Sequence, residues 1–416
     1  MTNPPCAATF RSRFLRARRL VPMPLPLEGI RVLEVGTFVS APYCGRLFAG
    51  YGADVIKIEP PGGEISRAHG PFLNGTPNPE TSALFLYLNT NKRSIELDLS
   101  SIEGREAFLR LAEDADVIIE NYRPSDAQGL GLDYETIRSL NPRVVLVSIT
   151  AYGQEGPYAK YRSNNLIAFA MGGQMFLTGD PDKSPVKNGG YQADYQGGLN
   201  AFSAANLALL AAERDGEGQH VDISVQHCMA PILEAGIPFY AYNGIWTGQR
   251  RGNLMSSFMG IYPCIDGQVG VHVMARNWPP FAAATGHSEW LEDERFATAD
   301  SRRNHDDELM AEVIEWAAGM RKKDAYAIGG EHRAPITFIH TMEDLLESPQ
   351  LSARGFLRNI EHPIAGNASY PGPPWWMGPD SWRDAPAPLL GEHTQAVLRE
   401  AGLSQAEITA AAGLAT

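Results

Sequence analysis

The first part of the chain alternates short apolar runs with helical patterns. The apolar run Ile30–Val35 predicts a strand, Tyr43–Tyr51 predicts a helix, and Asp54–Ile58 predicts a second strand. A strand, a helix and a strand in this order are typical of a βαβ unit. The chain is therefore expected to begin a parallel sheet near Ile30.

Further apolar runs continue this sheet. They predict strands at Ser94–Leu99, Asp116–Glu120 and Val144–Ile149, with a helix between the first two. The fold class expected from the pattern is α/β, with a mostly parallel, doubly wound sheet. A long helix over Leu199–Ala212 follows, rich in small and apolar residues.

The turn after the first strand argues against a dinucleotide site. Residues 36–42 read GTFVSAP, without the glycine spacing that brings a backbone against a pyrophosphate. An NAD-type Rossmann site is therefore not expected.

Composition narrows the function classes further. No apolar run reaches the roughly 18 residues of a membrane span. The net charge of −13 opposes broad nucleic-acid binding, so an anionic ligand needs a local basic cluster. The cysteines Cys6, Cys44, Cys228 and Cys264 lack metal or redox spacing, which favours reduced thiols and a cytoplasmic protein. No metal site and no permanently bound cofactor is expected.

The first 22 residues differ in composition from the rest. They contain five arginines and no acidic residue, which resembles a transit peptide in composition only. The favoured interpretation is a start codon assigned too far upstream, with translation beginning at Met23. Removing residues 1–22 is then expected to leave folding and activity intact.

Eight stretches taken together resemble the family III coenzyme A transferases, which include formyl-CoA and carnitine CoA transferases and α-methylacyl-CoA racemases. One stretch alone would be a weak signal, but all eight occur in the family's order. They are LEGIRVLEV (27–35), GADVIKIEP (52–60), NKRSIELDL (91–99), ENYRP (120–124), GQEGPYA (153–159), GEGQHVDIS (216–224), YPCIDG (262–267) and PQLSARGF (349–356).

The resemblance implies a domain layout and an assembly. It implies a large Rossmann-like domain from both chain ends, residues 27–225 and 341–416, and a small domain from residues 226–340. Residues 1–26 are expected to be disordered or misassigned. Two such chains interlock in the family, so a dimer is expected, either of identical chains or with a paralogous subunit.

The resemblance also implies a nucleophile. The family's catalytic aspartate matches Asp194, in the stretch GGYQADYQGGL (189–199). Its carboxylate can attack a thioester carbonyl, which replaces one difficult exchange by several easier steps. A following helix is expected to keep this carboxylate ionised, and the amides of a turn at Gly197 and Gly198 are expected to bind the oxyanion. From the residues alone, an ordinary helix cap is the more common role for such an aspartate, and the two roles can coexist.

Two departures from the family pattern bear on the reaction. Some members carry a run of glycines after a Gly-Asn pair, whereas Gly252 and Asn253 are followed here by LMSSFM (254–259). This favours a larger, more apolar acyl group over formyl, although the apolar residues of this run, Met255, Phe258 and Met259, could simply be core. The racemase histidine matches Asn164, which cannot serve as a general acid or base. Its neighbour Asn165 could position an acyl carbonyl, or be an ordinary loop residue.

Coenzyme A carries several phosphates, so its site needs basic side chains. The matched basic residues are Lys92, Arg93, Arg123 and Arg162, and Asn121 and Tyr122 match positions that line the adenine and pantetheine channel. Each basic residue taken singly is more often a solvated surface charge.

The function expected from the resemblance is transfer of CoA from an acyl-CoA to a carboxylic acid, with succinyl-CoA, a frequent donor in the family, as the candidate donor. The alternatives left open are an acyl-CoA racemase or isomerase on the same fold, and a non-catalytic partner subunit of a heteromeric transferase.

Overall fold

The computed structural model describes residues 25–244, 252, 254–256, 259–378 and 380–413. The strands are β1 (Arg31–Glu34), β2 (Asp54–Glu59), β3 (Arg93–Glu96), β4 (Val117–Glu120), β5 (Val145–Thr150), β6 (His220–Ser224), β7 (Leu254–Ser256), β8 (Met259–Cys264), β9 (Gly267–His272), β10 (Ile336–Phe338), β11 (Leu357–His362) and β12 (Gly366–Pro371).

The helices lie between or after these strands, singly or in groups. They are α1 (Ser40–Gly50), α2 (Ala83–Leu88), α3 (Ile102–Ala112), α4 (Pro124–Gly129), α5 (Tyr134–Leu140), α6 (Asn165–Met171), α7 (Gln174–Leu177), α8 (Gln192–Asp215), α9 (Val225–Met229), α10 (Gly236–Asn243), α11 (Trp278–Ala284), α12 (Ala299–Asn304), α13 (Asp306–Ala318), α14 (Lys322–His332), α15 (Met342–Leu346), α16 (Pro349–Ala353), α17 (Thr394–Glu400) and α18 (Gln405–Ala411). None of these described helices is long and apolar enough to cross a membrane.

The chain folds into two compact units. The first contains the described residues up to Ile149, Gly198–Asp222 and the described residues from Arg358 onward, and the second contains the described residues between these segments. This division differs from the predicted boundaries, which put residues 150–197 and 341–357 in the large domain. The difference has a packing reason, because α6 contacts α9 and Lys322 on α14 pairs with Asp344 on α15.

The first unit is built on a six-stranded sheet with the order β3-β2-β1-β4-β5-β6. The pairs β2–β3, β1–β2, β1–β4 and β4–β5 are parallel. The expected α/β fold with a Rossmann-like sheet is therefore confirmed. In this strand order the direction of winding reverses between β1 and β4, and ligands of such folds bind beyond the carboxyl ends of the strands at that point.

Both ends of the chain fill the core of the first unit. Strand residues such as Leu33, Ile56 and Ile118 belong to one buried cluster with Val397, Leu398 and Ile408 of the last two helices. Burying such aliphatic side chains contributes about 1.5–3 kcal/mol each. The sheet therefore depends on residues more than 350 positions downstream of β1.

The second unit has its own sheet and core. Its antiparallel sheet has the order β10-β9-β8-β7. Tyr262, Val269 and Val271 of this sheet cluster with Trp278 and Phe281 of α11 and with buried residues of α13 and α14.

A buried ion network lies beneath the carboxyl ends of β1 and β2. The Glu34 carboxylate contacts Lys57 Nζ at 2.9 Å and Lys92 Nζ at 2.6 Å, and all three side chains are fully buried. Burial opposes ionisation, but the two ammonium groups hold the pKa of Glu34 below its ordinary value. Gly45 leaves room for this carboxylate, since a Cβ there would lie 1.9 Å from Glu34 Oε2.

A second ion pair extends the network along β2. Arg67 donates to both oxygens of Glu59, at 2.7 and 2.8 Å, and Ser94 Oγ donates to Glu59 at 2.6 Å. Arg67 also contacts Glu80 at 2.8 Å. The segment after β2 is thereby held against the sheet by charge-assisted hydrogen bonds, which are the stronger kind.

We expect Glu34→Ala to lower the free energy of unfolding by about 3–5 kcal/mol, because it leaves two buried ammonium groups without their carboxylate. Urea unfolding followed by circular dichroism would measure this. The matched control is Glu400→Ala, which removes the half-exposed partner of Arg31 and Arg93 and should cost less than about 1 kcal/mol. Equal losses in the two variants would contradict a dominant role for the buried network.

Candidate active site

The loops after β1 and β4 meet where the winding of the first unit's sheet reverses. Asn121 Oδ1 accepts from the Thr37 amide at 2.8 Å, and its Nδ2 donates to Thr37 O at 2.8 Å and to Ser40 Oγ at 3.0 Å. Tyr122 is partly buried and donates its hydroxyl hydrogen to Val35 O at 3.3 Å. The Asn121 side chain therefore joins the two loops.

The buried network supports the same loop from below. Glu64 belongs to this network, since its carboxylate lies 3.7 Å from Lys57 Nζ, and its Oε2 accepts from the Phe38 amide at 3.1 Å. Lys57 Nζ also donates to Gly36 O at 3.3 Å. Phe38 has a φ of +66°, which is uncommon for a non-glycine residue. Such a conformation persists where its surroundings fix it, as these contacts do.

The predicted basic residues do not form one cluster. Lys92 is 4% exposed, and its Nζ contacts Glu34, Asn89 Oδ1 and Pro42 O. Burial lowers the pKa of this ammonium to about 8 despite the contact with Glu34. This placement corrects the expectation that Lys92 meets a CoA phosphate, because its ammonium is enclosed in the core.

Arg93 is also directed elsewhere. It lies in register with Ile56, and its guanidinium reaches back to Asp54, the first residue of β2, and to Glu400. This position is removed from the carboxyl ends where Asn121 and Tyr122 lie, which corrects the expectation for Arg93.

The other two predicted basic residues lie at the surface. Arg123 precedes α4 and pairs with Asp126 at 2.8 Å, with about a third of its side chain exposed. Arg162 is exposed in the second unit. Both remain available to an anionic ligand.

Asp194 is the third residue of α8. It therefore lies inside the first helical turn, not ahead of the helix as expected. Its side chain is half-buried, and burial raises the pKa of the carboxyl group to about 6. At pH 7 about nine-tenths of such a group is ionised, so Asp194 can act as an anionic nucleophile near neutral pH.

Asn165 holds the start of α8. It is 7% exposed, and its Oδ1 accepts from the Ala193 amide at 3.0 Å and from the Asp194 amide at 3.4 Å. Its Nδ2 donates to Gly190 O at 3.4 Å. Asn165 thus caps α8 from 28 residues away in sequence, which differs from the expected contact with an acyl carbonyl. Its oxygen already accepts the two amides closest to Asp194.

Gly197 and Gly198 lie inside α8, not in a turn. In a helix the amides beyond the first turn donate to the carbonyl four residues earlier. This corrects the expectation that the two glycine amides bind an oxyanion. A Cβ on Gly198 would lie 2.5 Å from Ser40 O and 3.2 Å from the Tyr43 ring, so this glycine allows close packing of α8 on α1.

Asn164 has a local structural role. It is the N-cap of α6, and its Oδ1 accepts from the Ile167 amide at 3.0 Å. A side chain bound in this way does not replace the histidine that a proton-exchange reaction would need.

The run expected to contact the acyl group lies partly outside the described residues, and Leu254–Ser256 of this run form β7. Asn253, Ser257 and Phe258 lie outside them, and Met259 is a partly buried residue of β8. Gly252 has a φ of +63°, and its amide donates to Gly179 O at 3.1 Å. Within the described part of the chain, no group of His, Cys, Asp and Glu side chains has the arrangement of a metal site.

Sequence comparison identifies relatives along almost the whole chain. The family model for CoA-transferase family III matches residues 27–394. A succinate–glutarate CoA-transferase of Agrobacterium fabrum is 35% identical over 392 residues, which are 90% of this chain and 95% of that protein. The BbsE subunit of succinyl-CoA:(R)-benzylsuccinate CoA-transferase of Thauera aromatica is 33% identical, over 91% of this chain and 95% of that protein.

A solved structure shows the same fold. The crystal structure of a CAIB/BAIF family protein from Brucella suis superposes with a TM-score of 0.83 at 31% identity, and covers 91% of this chain and all of that chain.

We expect Asn165→Ala to speed hydrogen exchange at the start of α8, because it removes the acceptor of the Ala193 and Asp194 amides. The helix should lose about 1 kcal/mol of local stability, or about fivefold in protection. Mass spectrometry of peptides covering residues 191–199 would measure this. Asn164→Ala is the matched control and should act on residues 165–171 instead. The same exchange pattern in both variants would refute the assignment of separate caps.

Proposed function

Because the chain belongs to CoA-transferase family III and moves coenzyme A between an acyl-CoA and a carboxylic acid, we propose that Asp194 is the nucleophile of this transfer. The observation that carries the proposal is the placement of this carboxyl group: it lies in the first turn of α8, half-buried, with the adjacent amides tied to Asn165.

The proposed mechanism has four substitution steps. In the first step, an Asp194 carboxylate oxygen attacks the donor thioester carbonyl. The C–S bond breaks, CoA departs as the thiolate, and a mixed anhydride between Asp194 and the donor acid is formed. The thiolate attacks the aspartyl carbonyl and releases the donor acid, which leaves an aspartyl-CoA thioester. The acceptor carboxylate then displaces the thiolate to form a second anhydride. Attack of the thiolate on the acceptor carbonyl completes the new acyl-CoA and restores Asp194.

The raised pKa of Asp194 suits this chemistry. Nucleophilicity increases with basicity, so a carboxylate with a pKa of about 6 is a better attacking group than an ordinary aspartate. The group is still mostly ionised at neutral pH. Burial thus favours the attack without removing the anion.

Three of the predicted residues, all in the first unit, remain in the proposed coenzyme A site, and Arg162 of the second unit is kept as a separate candidate for a phosphate contact. Asn121 and Tyr122 would line the adenine and pantetheine channel through the segment that follows β4. Arg123 and Arg162 would meet phosphate groups, since both are accessible to solvent. Lys92 and Arg93 are excluded by the contacts described above.

Succinyl-CoA is the proposed donor. The similar proteins from Agrobacterium and Thauera are named for succinate and for succinyl-CoA, which supports the same donor here. The acceptor proposed is a carboxylic acid with a larger, more apolar body than formate, on the basis of the residues that follow Gly252.

A dimer is proposed from an uncovered apolar helix in the second unit. In α10, Ile237, Phe239, Tyr240 and Tyr242 are all exposed, the last to 88%. A helix that is apolar on its exposed faces normally packs against another chain. The proposed occupant is a second family III chain, identical or paralogous, since BbsE is itself named as a subunit.

We expect Asp194→Asn to reduce transfer by about a thousandfold or more while CoA still binds, because the amide keeps the shape but loses the anionic nucleophile. Steady-state transfer and calorimetric CoA binding would be measured. Asp215→Asn is the matched control, since Asp215 ends the same helix and is exposed. Asparagine keeps the size of this side chain but not its charge, so retained turnover would show that Asp194 has only a structural role in the first turn of α8.

A covalent intermediate is also expected. Wild-type protein mixed with an acyl-CoA and hydroxylamine should carry a hydroxamate on the peptide that contains Asp194, whereas the Asp194→Asn variant should not. Mass spectrometry of the digested protein would locate the label. A label reproducibly found on another residue would refute the mechanism without affecting the family assignment.

The first half-reaction should depend on pH through Asp194. Since burial raises the pKa of this group to about 6, the rate of hydroxylamine trapping should be nearly constant above pH 7. It should fall about tenfold per pH unit well below pH 6, because only the anion attacks. Stopped-flow or quench assays between pH 4.5 and 8 would test this. A midpoint near pH 4, the range of an unperturbed aspartate, would contradict the effect of burial.

Sedimentation velocity should show a dimer, since uncovered α10 needs a partner. Tyr242→Glu should leave a folded chain with weaker assembly, while the control Tyr326→Glu, at an exposed position of α14, should not change it. A folded monomer of the wild-type chain at submicromolar concentration would contradict the proposed assembly.

A further inference from the structure

A row of hydrogen-bonded side chains crosses three neighbouring strands of the first unit. Glu120 ends β4 and lies in register with Ser148 of β5, and the two residues are 1% and 2% exposed. The Ser148 hydroxyl lowers the pKa of the neighbouring Glu120 carboxyl group and lies 2.8 Å from Nε2 of His220, the first residue of β6. The row thus joins an exposed histidine to a buried carboxyl group.

The Glu120 carboxyl group also binds the backbone of the segment after β4, which contains Asn121 and Tyr122 and is proposed to line the coenzyme A channel. Glu120 Oε2 accepts from the Tyr122 amide at 2.6 Å. This bond turns the chain immediately after β4 and fixes the path of Asn121, whose side chain in turn holds Thr37. Glu120 touches none of the proposed reacting atoms, so it acts through the segment it holds.

The protonation state of Glu120 determines which group donates and which accepts along the row of Glu120, Ser148 and His220. An ionised carboxylate only accepts, so Ser148 donates to Glu120, and Ser148 Oγ accepts from His220 Nε2–H. A protonated Glu120 would instead donate to Ser148 Oγ, and the hydroxyl would donate to an unprotonated His220 Nε2. The row therefore has two complete hydrogen-bond patterns, which differ in whether Glu120 carries a proton.

Burial, more than the surrounding charges, brings the titration of Glu120 near neutral pH. Burial raises the pKa of Glu120 to about 7, and Asp222 on β6 acts in the same direction, whereas the bonds from Ser148 and the Tyr122 amide oppose this. At the other end of the row, the protein around the imidazole ring, including the stacked Tyr134, partly shields it from water and lowers the pKa of His220, while Asp222 and Asp133 favour its charged form.

The other charged groups near the segment after β4 are those that affect the pKa of the Tyr122 hydroxyl. They are Lys57 and Glu64 of the buried network, together with Glu120 itself. Tyr134 of α5 stacks on the imidazole ring of His220, with ring centres 5.4 Å apart. None of these contacts replaces Glu120 as the acceptor of the Tyr122 amide.

We propose that Glu120 is a positioning residue for coenzyme A, and that CoA binding near neutral pH releases a proton from it. The inference rests on the proposed function, because it takes the segment after β4 to line the coenzyme A channel. The ionised carboxylate forms the stronger hydrogen bond to the Tyr122 amide. Coenzyme A, which needs the segment held in place, therefore binds best to the ionised form and by linkage displaces the proton.

The direction of the pH effect follows from this linkage. As the pH falls from 8 to 6, a growing fraction of the free protein carries the proton, and binding must first remove it. The dissociation constant for CoA should therefore rise by up to about tenfold over this range, the value for complete coupling to a group that titrates near pH 7.

The test compares the full-length chain with Glu120→Gln, using CoA alone so that no turnover occurs. Glutamine can accept from the Tyr122 amide and donate to Ser148, but it cannot ionise. Calorimetry at pH 7 in two buffers of different ionisation enthalpy counts the protons released on binding. Protons from the CoA phosphates and from Asp194 are common to both proteins, so the difference between the proteins reports Glu120.

We expect the parent chain to release about half a proton more than Glu120→Gln at pH 7, and the affinity of the variant to vary less with pH. Ser148→Ala is a second variant. It removes a donor that stabilises the carboxylate, so the midpoint of the pH dependence should move upward.

Equal proton release and parallel pH profiles in the parent and Glu120→Gln would overturn the inference while leaving the proposed function intact. An unchanged midpoint in Ser148→Ala would overturn the role of the row. Failure of the parent chain itself to bind CoA would overturn the proposed function and this inference together.

Discussion

The structure of the first unit depends on three charges that have no access to water. The side chains of Glu34, Lys57 and Lys92 are buried completely, and the carboxylate contacts both ammonium groups only in one arrangement of β1, β2 and the segment before β3. An unpaired charge in such a place costs several kcal/mol. The relative positions of the three segments are therefore restricted more than apolar packing alone would restrict them. The loop after β1 is restricted as well, because Phe38 and Gly36 are hydrogen-bonded to the same network.

Local sequence patterns were sufficient for the framework of the sheet. The runs around Leu33, Ile56 and Ile118 predicted β1, β2 and β4 to within two residues, because buried parallel strands are nearly continuous apolar runs. The start of α8 could not be predicted in this way. It begins at Gln192 rather than near Leu199, and the asparagine that caps it is distant in sequence, so no local pattern marks it.

The partners of the predicted basic residues could not be found from local sequence. A motif identified Asp194, whereas Lys92 and Arg93 were chosen because they are basic and lie in a family-matched stretch. Their partners, Glu34, Asp54 and Glu400, are dozens to hundreds of residues away in sequence. The role of Glu120 was missed for the same reason, since Ser148 and His220 are adjacent to it only in the sheet. A carboxylate at the end of an apolar strand was the one available signal.

Two opposing effects, the helix dipole and burial, determine the pKa of Asp194, and they differ in size. A helix N-terminus stabilises a nearby anion by about 0.3–1 kcal/mol, less than one pKa unit. Burial raises the pKa from 3.8 to about 6, which corresponds to about 3 kcal/mol. Desolvation therefore outweighs the helix dipole, and the group is more basic than its position in the helix suggests.

The construction of the first unit from both chain ends affects how the protein is made. The strand that carries Leu33 leaves the ribosome long before α17 and α18, whose Val397 and Ile408 complete its core. At about 5–20 residues per second this interval is on the order of tens of seconds. During that time the apolar surface of the early strands lacks its final cover, so the nascent chain should be a client for chaperones that shield such surfaces until synthesis ends.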